Sequence, residues 1–415
     1  LVVRKLHRIY KRRLASREPW PGGDRAGYAM AAATDAGLDV ARLLCGAEGT
    51  LAMVVRATMR TVPLPAATAT VVLPFVRLVE AAGCVPVLTG GDTAPSACDL
   101  YDWRSVSLAR DAEPLVGEHV GESIESLMVV EFEGDSPAEV AARARLLIEK
   151  AGRTGLLSAD PVAFHRRADC ERLAGLRRRI EPLFLRGRGR SAPSTIVDDV
   201  AVPVERLAPT IRSLQDVLRR RDLTWTLDVF AAEGRIRMRP FLDPAAPVAR
   251  EGLDDLAADF FDVVLGAGGE IVSGQGLGLL RTHVLARRLG EPSRVSRDVK
   301  DAFDPARLLN PGKVVDDSSV ARPLKGYPRP TSPAEVQPDA EAAPTPAEPV
   351  ILPVLRWPDD DLPTVASACN GCGACRSEEP YLRMCPSFRA FGEEAAAPRG
   401  QANLIRQAAA GRLDP

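Results

Sequence analysis

Four cysteines near the end of the chain form its clearest group of metal-binding side chains. Cys369, Cys372 and Cys375 have the spacing C-x2-C-x2-C, and Cys385 stands directly before a proline. Thiolates at this spacing can surround one face of an iron–sulfur cluster, and the glycines between them let the backbone approach it. Cys385 follows after nine residues rather than the three of the bacterial ferredoxin pattern, so its binding to the same cluster stays open.

Two other interpretations of these cysteines stay open. Zinc also binds four thiolates, although zinc ribbons usually have two separated C-x2-C pairs, so the spacing favours an iron–sulfur cluster over zinc. Four thiols without a ligand are the remaining and least favoured alternative. The remaining cysteines, Cys45, Cys84, Cys98 and Cys170, are spread along the chain. This distribution is not that of a secreted disulfide scaffold, and it predicts reduced thiols in a cytosolic protein.

One turn has backbone groups suited to an anionic cofactor, and a second turn has a polar side chain. Gly46, Glu48, Gly49 and Thr50 belong to the sequence GAEGT, in which the glycines leave backbone N–H groups free at a turn. Asn310 begins a second turn, Asn-Pro-Gly-Lys. A plain tight turn is an equally good interpretation of either sequence taken alone.

Three arginines could bind an anionic substrate. Arg235, Arg237 and Arg239 alternate along a predicted strand, so their side chains share one face of a sheet. Guanidinium groups suit carboxylates, and further arginines lie at 177–179 and 186–190. The alternative is a solvated strand face beside a basic loop.

The elements that position these residues predict an α+β fold with an antiparallel sheet. Alternation and composition predict strands at 68–75, 127–134, 194–202, 224–231 and 235–242, the last two joined by a turn at Glu233-Gly234. Helices are predicted at 252–267, at 292–302 and after the capping box Ser136-Pro137-Ala138-Glu139. The proline-, alanine- and acid-rich stretch from residue 316 predicts a semi-extended linker.

Composition excludes several classes of function. The chain has 415 residues and a net charge of -1, which gives no reason to expect nucleic acid as a partner. No apolar run reaches the length of a membrane span, so none is predicted. The chain begins with Leu1 and lacks a secretory signal pattern, and we expect that an earlier part of the protein precedes it.

Several segments together resemble the FAD-linked oxidase family, specifically D-lactate, glycolate and D-2-hydroxyglutarate dehydrogenase-like enzymes fused to a ferredoxin-type module. The similar segments are DVARLLCGAEGTLAMVVRATMRTVPLP, GGEIVSGQGLGLLR, DAFDPARLLNPGKVV, CNGCGACR, MCPSF and PRGQANLIRQ. The resemblance implies FAD and a 4Fe-4S cluster as cofactors, with Asn310 near the flavin. It implies a small 2-hydroxyacid as substrate and a quinone, cytochrome or carrier protein as electron acceptor.

The resemblance also implies a division of the chain. We expect the end of a FAD-binding domain at 1–62, a cap and substrate domain at 63–295, a return to the flavin at 296–315, a linker at 316–366 and a small α-helical iron–sulfur segment at 367–415. The expected location is the cytoplasm, with the inner membrane face as a peripheral alternative.

Phe230, Arg237 and Gln275 depart from the metal site of the 2-hydroxyacid members. The family pattern H-x-G-[DE]-G-N/R-x-H reads FAAEGRIR at 230–237, and S-G-E-H-G reads SGQG at 273–276. In the family, two imidazoles and a carboxylate bind a divalent ion, and a histidine takes the substrate proton. We expect both the metal site and this base to be lost, so the catalytic residues are unknown; His283 is a candidate replacement or a surface histidine.

Three hypotheses about function stay open. The chain belongs to an active FAD-dependent 2-hydroxyacid dehydrogenase, or to a catalytically degenerate homologue that acts as an electron-transfer or assembly subunit. The third hypothesis is a metal-independent oxidase with another substrate and another base.

Overall fold

A computed structural model describes residues 27–29, 33–34, 37–184, 191–242, 252–272, 274–279, 281–282, 291–315, 365–366, 369, 374–376 and 385–409. The chain falls into two units, Leu1–Arg322 and Pro323–Pro415, which we describe separately. Most of the predicted linker, the basic stretch at 186–190 and His283 lie outside the described residues.

In its described residues, the first unit has a short hairpin followed by alternating strands and helices. Its strands are β1 (Ala33–Thr34), β2 (Gly37–Leu38), β3 (Ala67–Phe75), β4 (Ala97–Tyr101), β5 (Ser126–Gly134), β6 (Val162–Phe164), β7 (Ala192–Pro193), β8 (Val200–Ala201), β9 (Trp225–Phe230) and β10 (Arg235–Leu242). Its helices are α1 (Val40–Leu44), α2 (Leu78–Leu88), α3 (Trp103–Ala112), α4 (Pro114–His119), α5 (Pro137–Arg153), α6 (Arg167–Ala174), α7 (Leu176–Phe184), α8 (Leu207–Arg219), α9 (Leu253–Gly266) and α10 (Glu291–Phe303).

One antiparallel sheet organises this unit. Its strand order is β6-β3-β5-β4-β9-β10-β7, and β8 also pairs with β10. Every one of these pairs is antiparallel. The structure therefore confirms the predicted mixture of helices with an antiparallel sheet.

One face of the sheet is apolar throughout. Successive strands place Leu73, Val130, Leu100, Val229 and Met238 on this face, and each is fully buried. Helices α2 and α5 pack on the sheet, and α8 packs between α2 and α9. Since burying such a side chain contributes about 1.5–3 kcal/mol, this face is a major source of the unit's stability.

The opposite face is apolar at one end and charged at the other. Around Val72, Tyr101 and Val129 it packs against the apolar sides of α3, α4, α6 and α7. Towards β9 and β10 the same face has ionised side chains instead. A half-covered, charged region of a sheet is where a binding site can form beside a rigid core.

Local sequence signals place several element ends as predicted. Ser136 Oγ accepts the N–H of Glu139, which confirms the N-terminal cap of α5, and Glu139 in turn accepts the N–H of Asp135. The predicted hairpin at Glu233-Gly234 is also confirmed. It closes with a 3-10 turn at Ala231–Glu233 followed by Gly234 in the left-handed region, with φ of 67°.

The predicted continuous strand at 194–202 is wrong. Within this range only the two-residue strand β8 forms, and a turn precedes it; β7 ends at Pro193, before the predicted strand begins. Asp199 has φ of 64°, and its N–H donates to the Asp198 side chain, a local bond that competes with strand pairing. The turn buries both carboxylates beside β10.

The second unit is helical where it is described. Cys385 caps α11 (Pro386–Phe391) by accepting the N–H of Phe388, and α12 (Pro398–Ala409) follows a 3-10 turn at Glu394–Ala396. Among the residues that the structure describes, no helix is both long and apolar enough to cross a membrane.

Gly234 provides a test of the hairpin that carries the charged face. A Cβ at this position would lie 1.9 Å from the carbonyl oxygen of Val202, in addition to the strain of a positive φ. Gly155 has φ of 65° but open space around its Cβ position, so it serves as the matched control. We expect Gly155→Ala to lower the free energy of unfolding by about 1 kcal/mol and Gly234→Ala by more than about 3 kcal/mol, measured by urea denaturation. Equal losses would contradict the close packing of the hairpin on Val202.

Candidate active site

The charged part of the sheet face is formed by β4, β9 and β10. The strand register places Asp99 opposite Phe230, Phe230 opposite Arg235, and Asp228 opposite Arg237. Because alternate residues of a strand share a face, these five side chains lie together on one side of the sheet.

Helix α7 contributes an arginine that crosses this face. Arg177 Nη2 lies 2.9 Å from Asp99 Oδ1, and its Nε lies 2.8 Å from Asp228 Oδ2. Its guanidinium carbon is 3.5 Å from the centre of the Phe230 ring, and that of Arg235 is 4.3 Å from the same centre. The phenylalanine is thus held between two cations, an arrangement that electron-rich ring faces favour.

Arg237 and Arg239 are buried in ion pairs. Arg239 contacts Glu181 at 2.9 Å and Asp228 at 3.0 Å, and Arg237 contacts Glu181 at 3.2 Å with Asp198 and Asp228 each at 3.7 Å. Burial opposes the charge of Arg237, yet Asp228 and Asp198 raise its pKa above the usual range. A solvated strand face, one of the two interpretations of these arginines, is therefore wrong for this pair.

The loop at 274–278 is bound by side chains from three other segments. Asp199 Oδ2 accepts the N–H of Gly274 at 2.8 Å and that of Gln275 at 2.5 Å. Arg281 donates to the carbonyl of Gly276 at 2.9 Å, and Glu48 accepts the N–H of Gly278 at 2.9 Å. Gln275 itself is exposed on this loop.

The turn at 46–50 is tied to the segment after α10. Asn310 Nδ2 donates to the backbone carbonyl of Glu48, and Lys300 Nζ donates to that of Thr50 at 2.6 Å. Lys300 also contacts Asp304 at 2.5 Å and the carbonyl of Leu309 at 2.9 Å, so all three of its protons are used. The hydrogen bond from Lys300 is the main cause that lowers the pKa of Asp304 to about 2.

The backbone of this turn has a conformation that few side chains favour. Gly46, Glu48 and Gly49 all have positive φ, and so does Asn310. Within the described residues the N–H groups of Glu48 and Gly49 make no hydrogen bond, and Gly49 is exposed. Free N–H groups on a fixed turn fit an anionic group of a cofactor.

Comparison with known families identifies this unit. Residues 64–314 match the model of the C-terminal domain of FAD linked oxidases. The chain belongs to the FAD-linked oxidase family. This confirms the family expected from the resemblance, and the matched range contains the whole charged face and Asn310.

Curated relatives of the chain include several dehydrogenases of hydroxyacids. D-2-hydroxyglutarate dehydrogenase of Pseudomonas putida is 28% identical over 88% of this chain and 35% of its own length. D-lactate dehydrogenase of Anaerostipes hadrus is 26% identical over 68% of this chain and 59% of its own length. The glycolate oxidase subunit GlcD of Bacillus subtilis is 26% identical over 67% of this chain and 57% of its own length. The chain thus spans about a third of the length of the first of these relatives and less than two thirds of the other two.

Among solved structures, 4-ethylphenol oxidase from Gulosibacter chungangensis has a TM-score of 0.45 at 14% identity over 62% of this chain and 55% of its own. For p-cresol methylhydroxylase the TM-score is 0.44 at 13% identity, over 61% of this chain and 54% of that protein's chain.

The structure brings the residues expected near the flavin together. Glu48 and Asn310 are in contact, and a Cβ on Gly49 would lie 3.9 Å from Asn310 Nδ2. Thr50 is buried, where its hydroxyl bonds that of Tyr28 at 2.7 Å and burial raises the pKa of Tyr28 to about 12. The positions predicted to replace the family's metal site, Phe230, Arg237 and Gln275, lie on the charged face and its adjoining loop.

The cysteines predicted to bind a cluster do not form a metal-binding group among the described residues. In the part of the chain that the structure describes, no three His, Cys, Asp or Glu side chains come together as a metal site, and that part includes Cys369, Cys375 and Cys385. Cys372 lies outside the described residues.

Sequence reasoning missed the carboxylates that organise the face. Asp198 and Asp199 fell inside a predicted strand, and Asp99, Asp228 and Glu181 were not singled out. A signal was present, because two adjacent acids interrupting the apolar run at 194–202 are unfavourable in a strand. Glu131 was also missed; burial is the main cause that raises its pKa to about 7, with Asp99 next.

Lys300 tests how the turn at 46–50 is held in place. Lys300→Met removes three hydrogen bonds and leaves Asp304 without its cation, whereas Lys313→Met changes a partly exposed lysine in the same segment. We expect Lys300→Met to lower the thermal unfolding midpoint by about 5 °C and to weaken flavin retention, with little change for Lys313→Met. Equal behaviour of the two variants would contradict the role of Lys300.

Proposed function

We propose that this chain is the C-terminal part of a flavin-dependent oxidoreductase that oxidises a small 2-hydroxyacid of the D-lactate or D-2-hydroxyglutarate type. The observation that carries the proposal is the family match over 64–314, the range that joins the charged sheet face to Asn310. Relatives named for D-2-hydroxyglutarate, D-lactate and glycolate support the class of substrate.

FAD, when bound, supplies the acceptor for the hydride that leaves the hydroxyl-bearing carbon. In our proposal Gly46, Glu48, Gly49, Thr50 and Asn310 hold this cofactor. The free N–H groups of the turn donate to it, while Lys300 keeps the turn and the Asn310 segment at a fixed separation.

An exposed apolar segment supports the proposed domain division. Met53, Val55 and Met59 are 79%, 90% and 80% exposed, and no helix or strand is assigned between 51 and 66. Apolar side chains alternate with Arg56 and Arg60 here, which is the pattern of a half-buried strand. We propose that this segment completes the FAD-binding domain that residues 1–62 are expected to end, by pairing with a strand of that domain.

The residues of this chain do not fit the divalent ion of the family's 2-hydroxyacid members. The three positions hold Phe230, Arg237 and Gln275, and the surrounding carboxylates are already paired with guanidinium groups. We therefore derive no step through a metal ion at this site. In place of a metal ion, arginine cations compensate the negative charges of the carboxylates at this site.

We propose that electrons leave the flavin through an iron–sulfur cluster bound by Cys369, Cys372, Cys375 and Cys385. The support is their spacing and thiolate chemistry. The external acceptor would be a quinone, a cytochrome or a carrier protein, met in the cytoplasm or at the inner membrane face.

A second candidate function is a catalytically degenerate homologue that transfers electrons or assists assembly. The dense pairing of arginines with carboxylates at the former metal positions favours it, because no described group there is a free base. Under this hypothesis the scaffold and the cluster are kept while substrate oxidation is lost.

The first test is an anaerobic titration of the full-length protein with D-lactate and with D-2-hydroxyglutarate, followed by flavin and cluster absorbance. The proposed enzyme predicts bleaching of the flavin and then of the cluster by one of the acids. If neither acid bleaches the flavin although dithionite reduces both centres, the second candidate replaces the first.

Removal of divalent metal gives an independent test. We expect prolonged dialysis against EDTA to leave the rate of flavin reduction within about twofold of its starting value, since Phe230 and Arg237 cannot bind a metal. Loss of the rate with recovery on adding Zn2+ or Mn2+ would contradict the assignment of a metal-independent site.

A further inference from the structure

The arginines of the charged face differ in whether their guanidinium N–H groups remain available to bind a ligand. Arg237 and Arg239 each contact at least two carboxylates and have side chains that are only 7% and 6% exposed. Arg177 spans Asp99 and Asp228. The charges of these three groups are compensated by carboxylates within the fold.

Arg235 is different. Its Nε donates to Asp199 Oδ1 at 2.5 Å and its plane faces Phe230, but within the described residues Nη1 and Nη2 donate no hydrogen bond. The side chain is 15% exposed, twice the value for Arg237. Its outer edge therefore offers two parallel donors, the geometry that binds a carboxylate through both oxygens.

Asp199 fixes the direction of that edge. It is fully buried, has φ of 64° and accepts backbone N–H groups of Gly274 and Gln275 as well as Arg235. Burial opposes its ionisation, but Arg235 and the Gln275 N–H outweigh it and lower the pKa of Asp199, which keeps the group charged. A fixed partner on Nε and a ring against its face leave the guanidinium little freedom.

Two glycines allow the loop at 274–278 to lie close to Arg235. A Cβ on Gly274 would lie 2.4 Å from the guanidinium carbon of Arg235. Gly276 is similar, since a Cβ there would lie 2.6 Å from the carboxyl carbon of Glu48, which belongs to the turn proposed to hold the flavin. The same loop therefore contacts Arg235 on one side and the proposed flavin turn on the other.

We propose that Arg235 binds the carboxylate of an anionic ligand through Nη1 and Nη2, and that Asp199 is the positioning residue that aims it. Arg237 is then a structural residue that neutralises Asp198 and Asp228. The identification of this anion as the carboxylate of the substrate rests on the proposed function. The anion site itself does not depend on that function.

The test is calorimetric binding of oxalate and of glycolamide to the full-length protein with its flavin. Oxalate is a dianion, and glycolamide is a neutral analogue of glycolate. We expect Arg235→Gln to weaken oxalate binding about 10- to 100-fold and Arg235→Lys, which keeps the charge but loses the paired donors, about 3- to 10-fold. Glycolamide binding should change less than about twofold, and the exposed control Arg212→Gln should change neither.

Asp199→Asn tests the positioning role in the same assay. We expect a reduced ratio of oxalate to glycolamide affinity, because the guanidinium is no longer held in its orientation, whereas a purely structural defect would weaken both ligands equally. Arg237→Gln should also lower the unfolding temperature, since it removes the ion pair of the fully buried Asp198 and one of the three arginines that contact Asp228.

Two results would overturn the inference: wild-type protein that does not bind oxalate, or Arg235→Gln that binds it as tightly as wild type. Neither requires turnover. If oxalate binding depends on Arg235 while no 2-hydroxyacid reduces the flavin, the anion site stands and the proposed substrate class fails.

Discussion

The charged sheet face depends on compensation of buried charge. Carboxylates at Asp99, Asp198 and Asp228 are enclosed by protein, and each would carry a large desolvation cost if it stood alone. Arginines from β10 and α7 neutralise them. Because these ion pairs share partners, with Asp228 in contact with arginines of both α7 and β10, a substitution in this part of the site affects several strands and helices.

This compensation links the core to the site. The apolar face of the same strands is packed against helices, and this packing holds the backbone of β4, β9 and β10 that carries the ion pairs. The left-handed turn at Asp199 and the glycines at 274 and 276 then bring a loop close to that face. Lys300 and Asn310 hold the turn at 46–50 next to it. A rigid face, a bound loop and a bound turn together give the pre-organisation that a binding site needs.

Much of the fold could be predicted because it follows from local patterns. The alternation in β3, β5, β9 and β10, and the serine cap of α5, were recognisable from residue types alone. The broken strand at 194–202 left only its two adjacent acids as a signal, because the partners that hold Asp199, namely Arg235, Gly274 and Gln275, are distant in the sequence. Arg235 and Arg237 look equivalent in the sequence. Only the three-dimensional arrangement of Glu181, Asp198 and Asp199 separates a guanidinium with available Nη groups from one that is buried among carboxylates.

The central claim is that an arginine-lined face, with no metal ion, receives an organic acid beside the flavin. The most direct measurement is a crystal structure of the full-length protein soaked with oxalate, with anomalous data collected above the zinc and manganese edges. The account predicts a carboxylate on the outer edge of Arg235, flavin beside the turn at 46–50, and no anomalous peak among Phe230, Arg237 and Gln275. A metal peak at those residues, or oxalate bound away from Arg235, would contradict it.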